Sequence, residues 1–308
     1  MDRTIVYKIT EQSEGMTVRQ LLKQCGYSHR ILAHLKHKEM GICVDGDAVY
    51  MNHPLHKGEL LTVHFTEGAS SVHVIPVPLP LEIVYEDEDL LVVNKPAGMP
   101  VHPSLNNYGN SLANAAAYYF SEQGLPFVFR CVNRLDRDTS GLTVLAKNML
   151  SAAILSDMVK RKVMKREYLA VAEGITEQSG TIDAPLSRKE GSIIERTVDF
   201  ENGETAVTHY ERLSVVTISG ESGSRNYSFL KILLETGRTH QIRVHLRHIG
   251  HPLPGDFLYN PDYSIIKRQA LHSACLSFPH PITGKTLHFE LPLPEDMRQI
   301  LSNSVPFP

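Results

Sequence analysis

The chain has 308 residues, 42% apolar and 21% charged, with a formal net charge of −3. Apolar content at this level excludes a largely disordered chain, and the length predicts two domains. No apolar run approaches the roughly 18 residues of a membrane span, and a weakly acidic total requires that any polyanionic partner be met by local clusters of cations.

Residues 1–66 read as a small separate unit. Val18, Leu21 and Leu22, then Ile31, Leu32 and Leu35, recur at helical spacing and predict two short amphipathic helices, with Ser28 capping the second. Residues 41–44 and 48–50 flank Asp45-Gly46-Asp47, a hairpin signal. Residues 60–65 alternate as a strand. Residues 67–80 carry Gly68, Ser70, Ser71, Pro76, Pro78 and Pro80 and read as a linker. The second domain is expected over 81–308. It opens with a hairpin, 82–85 and 90–93, around Glu86-Asp87-Glu88-Asp89. Further strands are expected at 142–146 and 168–172, and near 205–211, 227–234 and 286–291. Helices are expected at 112–120, 149–160 and 239–249. Runs of strands with few helices point to an α+β architecture built on a mixed, mainly antiparallel sheet.

Cys25, Cys43, Cys131 and Cys275 are scattered, which argues against a disulfide framework or a zinc knuckle. Together with an N-terminus that has no apolar signal segment, they point to the cytoplasm. Three basic stretches lack acids. The first holds Arg19, Lys23, Arg30, Lys36 and Lys38. The second runs from Lys160 to Arg166, with Lys165 inside it. The third holds Arg238, Arg243 and Arg247 with His240, His245, His248 and His251. One such run is ordinarily a solvated face; three in a net acidic chain favour an anionic partner.

The densest segment is Asn133-Arg134-Leu135-Asp136-Arg137-Asp138-Thr139-Ser140-Gly141-Leu142. Arg134 and Arg137 flank Asp136 and would keep its carboxylate ionised, as a nucleophile or base requires. Spacing alone favours a salt-bridged turn, since structural ion pairs are common.

This segment resembles the HRLDxxTSG signature of the RluA-type pseudouridine synthases. Three more stretches resemble the family's motifs in the same order: Val92-Val93-Asn94-Lys95-Pro96-Ala97-Gly98-Met99, Lys165-Arg166-Glu167-Tyr168, and Leu234-Glu235-Thr236-Gly237-Arg238-Thr239-His240-Gln241-Ile242-Arg243-Val244-His245. Gly250-His251-Pro252-Leu253-Pro254-Gly255-Asp256 also fits, so the likeness covers roughly 81–291. The N-terminal unit resembles the S4-type RNA-binding domain that often precedes this catalytic domain. The resemblance implies isomerisation of uridine to pseudouridine in structured RNA, ribosomal (above all large-subunit) or transfer RNA, with no cofactor or metal needed; a monomer is the default expectation. It implies Asp136 as the catalytic carboxylate, Arg243 as its orienting partner and Tyr168 as the residue packing on the target base. Arg134 would fill the gap left by a flipped base, and Arg137, Arg238, His240, Arg30, Lys36, Lys38 and Lys165 would bind RNA. One position departs from the family: Asn133 stands where the signature has histidine. Two other readings remain open, a non-catalytic RNA-binding or ribosome-assembly factor, and a glycosidase using Asp136 and Asp138 from one strand face.

Overall fold

The computed structural model describes residues 2–68, 70–71, 74–105, 107–220, 223–302 and 305–306. The N-terminal unit is a four-stranded sheet covered by two helices. Its elements are β1 (Asp2–Lys8), α1 (Val18–Gln24), α2 (His29–Lys36), β2 (Ile42–Val44), β3 (Asp47–Ala48) and β4 (Leu60–Thr66), with sheet order β1-β4-β2-β3. Thr17 and Gln20 form a capping box on α1, and the Ser28 hydroxyl accepts from Ile31 N at the start of α2. These caps satisfy amide donors that a short helix leaves free. The strand predicted at 48–50 ends at Ala48.

The larger body is built on a ten-stranded sheet. In chain order its elements are β5 (Glu82–Glu86), β6 (Leu90–Lys95), α3 (Leu112–Ser121), β7 (Ser140–Ala146), α4 (Met149–Lys160), β8 (Lys165–Glu173), β9 (Ser179–Asp183), β10 (Leu186–Arg188), β11 (Arg196–Val198), β12 (Val207–Gly220) and β13 (Gly223–Leu234). They continue with α5 (Gln241–His248), β14 (Leu271–Pro279), β15 (Thr286–Glu290), α6 (Glu295–Ser302) and β16 (Val305–Pro306). The central order is β16-β12-β13-β8-β14-β7-β6-β5, with β15 beside β14, β9 beside β12, and β10–β11 a separate pair. Among the described residues only β14–β7 runs parallel. The architecture is therefore α+β with a mainly antiparallel sheet. The strands predicted near 205–211 and 227–234 extend into one long β12–β13 hairpin. Among the described residues no helix is long and apolar enough to cross a membrane.

The two units share packing. Leu150 lies in the core of the N-terminal unit, and Met149, Ala153 and Ile154 pack against it. Beside this seam Arg3 forks onto Asp89 (3.0 and 2.7 Å), whose Oδ1 also accepts from Asn148 and Ser151. Residues 67–80 form no helix or strand among those described, and Ala69, Val72 and His73 of this segment lie outside the described residues. The rest is tied to the body. Glu67 pairs with Arg130 and accepts from Met149 N, while Ser70 and Ser71 accept from Phe127 N and Phe129 N.

Candidate active site

The segment from Asn133 to Thr139 leads into β7 and is held there by polar contacts. Asn133 is buried; its amide donates to Leu142 O (3.0 Å) and accepts from Val144 N (2.8 Å), both on β7. Leu135 points into the core with Tyr168, Ile242 and Leu246. The next three residues form a loop gripped from two sides. Lys95, fully buried, donates to Pro96 O, Met99 O and Arg137 O at 2.7–2.9 Å, matching three N–H bonds to three carbonyls. Burial pulls Lys95 down to about 7, against the opposing pull of Asp138 and Asp136. Arg268 donates to Asp138 O from the other side. Gly141 closes the loop at φ +112°, where a β-carbon would fall 2.2 Å from Ser273 O, so only glycine lets β7 meet β14.

Asp136 leaves this loop with 24% of its side chain exposed, and accepts from Arg243 Nη1 at 2.8 Å. Arg243 sits on α5, is 1% exposed, and locks its other edge onto Asp256 through Nε (2.6 Å) and Nη2 (2.7 Å). Asp256 Oδ1 also accepts from Leu258 N and Tyr259 N, which fixes the carboxylate in place. Burial works against the Arg243 charge, but Asp256 and Asp136 outweigh it and hold the guanidinium above the ordinary arginine value. Fork geometry of this kind fixes direction as well as charge. The faces of Tyr259 and Phe257 lie 5.0 and 5.5 Å from the same guanidinium.

His240 approaches from the start of α5, its Nε2 4.0 Å from Asp136 Oδ1. Its φ of 59° is left-handed, so α5 begins at Gln241, two residues later than the periodicity predicts. Tyr259 OH accepts from Arg196 N and is 2.9 Å from His240 Nδ1. That contact sets the ring so that Nε2 faces Asp136. Burial lowers the His240 pKa and favours the neutral imidazole. Tyr168, on β8, is 5% exposed in the same core as Leu135, and burial raises its hydroxyl pKa.

The other sequence-selected residues fall into separate places. Arg137 does not brace Asp136, because its guanidinium turns onto Asp138 (2.8 Å) and the Phe257 ring. Asp136 and Asp138 do not share a strand face; both lie in the loop, and Asp138 is engaged by the Arg137 guanidinium. Arg134 is exposed and lines a hollow of about 320 Å³ with Arg188, Arg196 and Arg238. Arg238 also donates to Thr205 O and pairs with Glu204. Lys165 is exposed at the start of β8. Arg30 and Lys36 are exposed on α2, and Lys38 reaches Thr66 Oγ1. On the far side of the loop, Asp138, Gly98, Tyr263, Arg268 and Ile300 line a cleft of about 660 Å³.

Sequence reasoning left Lys95, Asp256 and Tyr259 without roles. Lys95 and Asp256 both lie within matched segments, which carried the signal for them. The histidines of the third basic stretch have separate partners: His245 binds Thr208 and Ala184 O, and His251 lies 2.7 Å from Glu173 O. Asp87, Asp89 and His280 bring ligand atoms within 4.8 Å of one another, but those atoms are held by Arg3, Tyr85 and Asn148, and by each other.

An open carboxylate fixed by a buried guanidinium that is itself fixed by a second carboxylate defines a site for chemistry on a polar substrate. The chain belongs to the RNA pseudouridylate synthase family, whose model matches residues 89–248; pseudouridine synthases are isomerases. It is 40% identical over 287 residues to the uncharacterized RNA pseudouridine synthase YjbO of Bacillus subtilis, covering 93% of this chain and 98% of that one. It is 41% identical to the ribosomal large subunit pseudouridine synthase D of Zymomonas mobilis, covering 73% of each. The solved structure of human RNA pseudouridylate synthase domain containing 1 superposes with a TM-score of 0.60 at 26% identity, covering 74% of this chain and 89% of that one.

Proposed function

We propose that this chain converts uridine to pseudouridine in large-subunit ribosomal RNA, with Asp136 as the reacting carboxylate. One observation carries the reading: Asp136 is the open member of an otherwise buried charge chain, with Arg243 and Asp256 behind it. In this reading the target nucleotide flips out of its stack, Arg134 takes its place, and Tyr168 packs on the base. Asp136 acts at the anomeric carbon while the C1′–N1 bond breaks and a C1′–C5 bond forms. His240 donates toward the second oxygen of Asp136. Arg137, Arg238 and Lys165 meet backbone phosphates near the site. Residues 1–66 act as an S4-like RNA-binding domain, with Arg30, Lys36 and Lys38 on its basic side, and 67–80 join it to the catalytic domain, 81–308. A monomer is the default reading, and a ribosomal substrate fits the cytoplasm.

The test is a carbodiimide-based pseudouridine map of ribosomal RNA from cells with and without the gene, with Asp136→Ala and Asp136→Asn supplied in trans. One or more sites should vanish in the deletion and stay absent with either variant, while the purified variants keep their fold and RNA affinity. A map that is unchanged by the deletion favours a non-catalytic factor, and free uracil released from RNA favours a glycosidase.

A further inference from the structure

The chain buries two arginines, Arg243 and Arg166, and surrounds them differently. Arg243 has two carboxylates. Arg166, 7% exposed, makes no ion pair among the described residues. Its hydrogen bond runs from Nη2 to Thr236 O at 3.3 Å, and its Nε, sealed from solvent, has no acceptor. A buried guanidinium without counter-charge is costly, and an orphaned buried donor calls for an explanation.

Its location supplies one. Arg166 and Tyr168 are alternate residues of β8 and so share a strand face. That is the face where Tyr168 meets Leu135 and Ile242. After burial, the two charges that act on the Tyr168 hydroxyl are Arg166, which draws its pKa down, and Asp136, which raises it. Tyr168 is thus within electrostatic reach of both. Over the guanidinium runs the turn through Gly237, where a β-carbon would stand 2.6 Å from Nη1. Glycine there leaves that nitrogen its space.

We propose that Arg166 is a further catalytic group: its Nη1, which no carboxylate engages among the described residues, takes a uracil carbonyl oxygen and stabilises the charge that grows on the ring as the glycosidic bond breaks. The inference rests on the uridine-isomerase reading above. In that reaction the C1′–N1 bond breaks and its electron pair stays on uracil, shared among N1, O2 and O4. The ring turns, C5 bonds to C1′, the C5 proton leaves to a base and N1 takes up a proton, so nothing is oxidised or reduced. A donor already fixed and dehydrated where this charge develops does not reorganise during the step. Arg166 lies about as deep as Tyr168, 7% against 5% exposed, so the flat base rather than a hydrated backbone phosphate is the group that reaches it.

The test compares Arg166→Met with the wild type in single-turnover reactions on RNA carrying uridine or 5-fluorouridine at the target. Fluorine makes uracil a better leaving group that needs less help. The expected loss is about 10²-fold or more with uridine. With 5-fluorouridine, glycosidic cleavage should lose at least about tenfold less. RNA affinity and its salt slope should be unchanged, and Tm held or raised because an uncompensated cation is gone. Arg166→Lys, which keeps charge without the fork, should fall between the two and carries the test if Arg166→Met does not fold. Equal losses with both RNAs, a flattened salt slope, a lowered Tm in step with activity, or wild-type rates would each overturn the assignment. If the wild type makes no pseudouridine, the parent reading fails instead. If the wild type turns over, Asp136→Ala is inert and Arg166→Met is unimpaired, the role of Arg166 alone falls.

Discussion

Arg243 can present a single N–H to Asp136 because Asp256 holds the rest of its guanidinium in a two-point grip. One edge is anchored and the other is aimed. Asp256 contributes no atom to the opening, yet the direction of the Asp136 carboxylate depends on it.

Asp256→Asn keeps the volume of that anchor and removes its charge. Arg243 is then buried with one carboxylate in place of two. Loss of a buried partner costs about 3–5 kcal/mol, so urea unfolding should show a drop of that order. Isomerisation should fall at least about tenfold through loss of Arg243's aim. An unchanged midpoint would mean that Asp256 is dispensable.

Lys95→Met keeps the stem and deletes three donors. The carbonyls of Pro96, Met99 and Arg137 are left buried, at about 1–3 kcal/mol for each group that finds no water. Since Arg137 adjoins Asp136, the turnover rate should fall more than RNA affinity. Separate measurement of single-turnover rate and binding checks this; a loss confined to affinity would contradict it.

Burial and the nearby Arg268 push His272 down to about 4, from an ordinary 6.5. Between those pH values the unfolded chain binds the proton and the folded chain does not. Stability is thus fully present above pH 6.5 and declines as pH falls toward 4, by about 3 kcal/mol across the window. His272→Asn should flatten that acid limb in denaturant titrations at pH 7, 6, 5 and 4. An unaltered slope would assign the limb to other groups.

Arg3→Ala strips Asp89 of its forked partner at the seam between the N-terminal unit and the body. The Asp89 side chain is 3% exposed, so the cost should be about 2–3 kcal/mol, reduced from a fully buried pair by the partial exposure of Arg3. Limited proteolysis should then cut faster within 67–80. Equal cleavage rates would mean that the apolar contacts of Leu150 and Ile154 hold the seam unaided.

Elements with strong local signals were legible in the sequence. The helix predicted at 149–160 is α4, started by an Asn148 side chain that accepts from Ser151 N. The two N-terminal helices and the β5–β6 hairpin likewise follow from apolar spacing and turn chemistry. Six strands, β1, β9, β10, β11, β14 and β16, were not legible, and two of them show why. β1 buries only Ile5, so its alternation is too weak to register. β14 is central, yet its sequence includes the polar His272 and Ser273, whose partners Ser140 and Leu142 O come from β7, 132 and 131 residues away. Within the site, Asp136 and Arg243 are 107 residues apart and were joined by motif order rather than by spacing. Lysine is ordinarily a surface residue, which hid Lys95 within a segment that had already been marked.

Asn133 behaves as a surrogate peptide unit. By offering an acceptor and a donor to alternate rungs of β7, it lends the ladder a link that the main chain does not provide. The motif's opening letter is therefore masonry. It can drift among side chains able to dock on that edge, while the letter three places on, Asp136, stands at the opening.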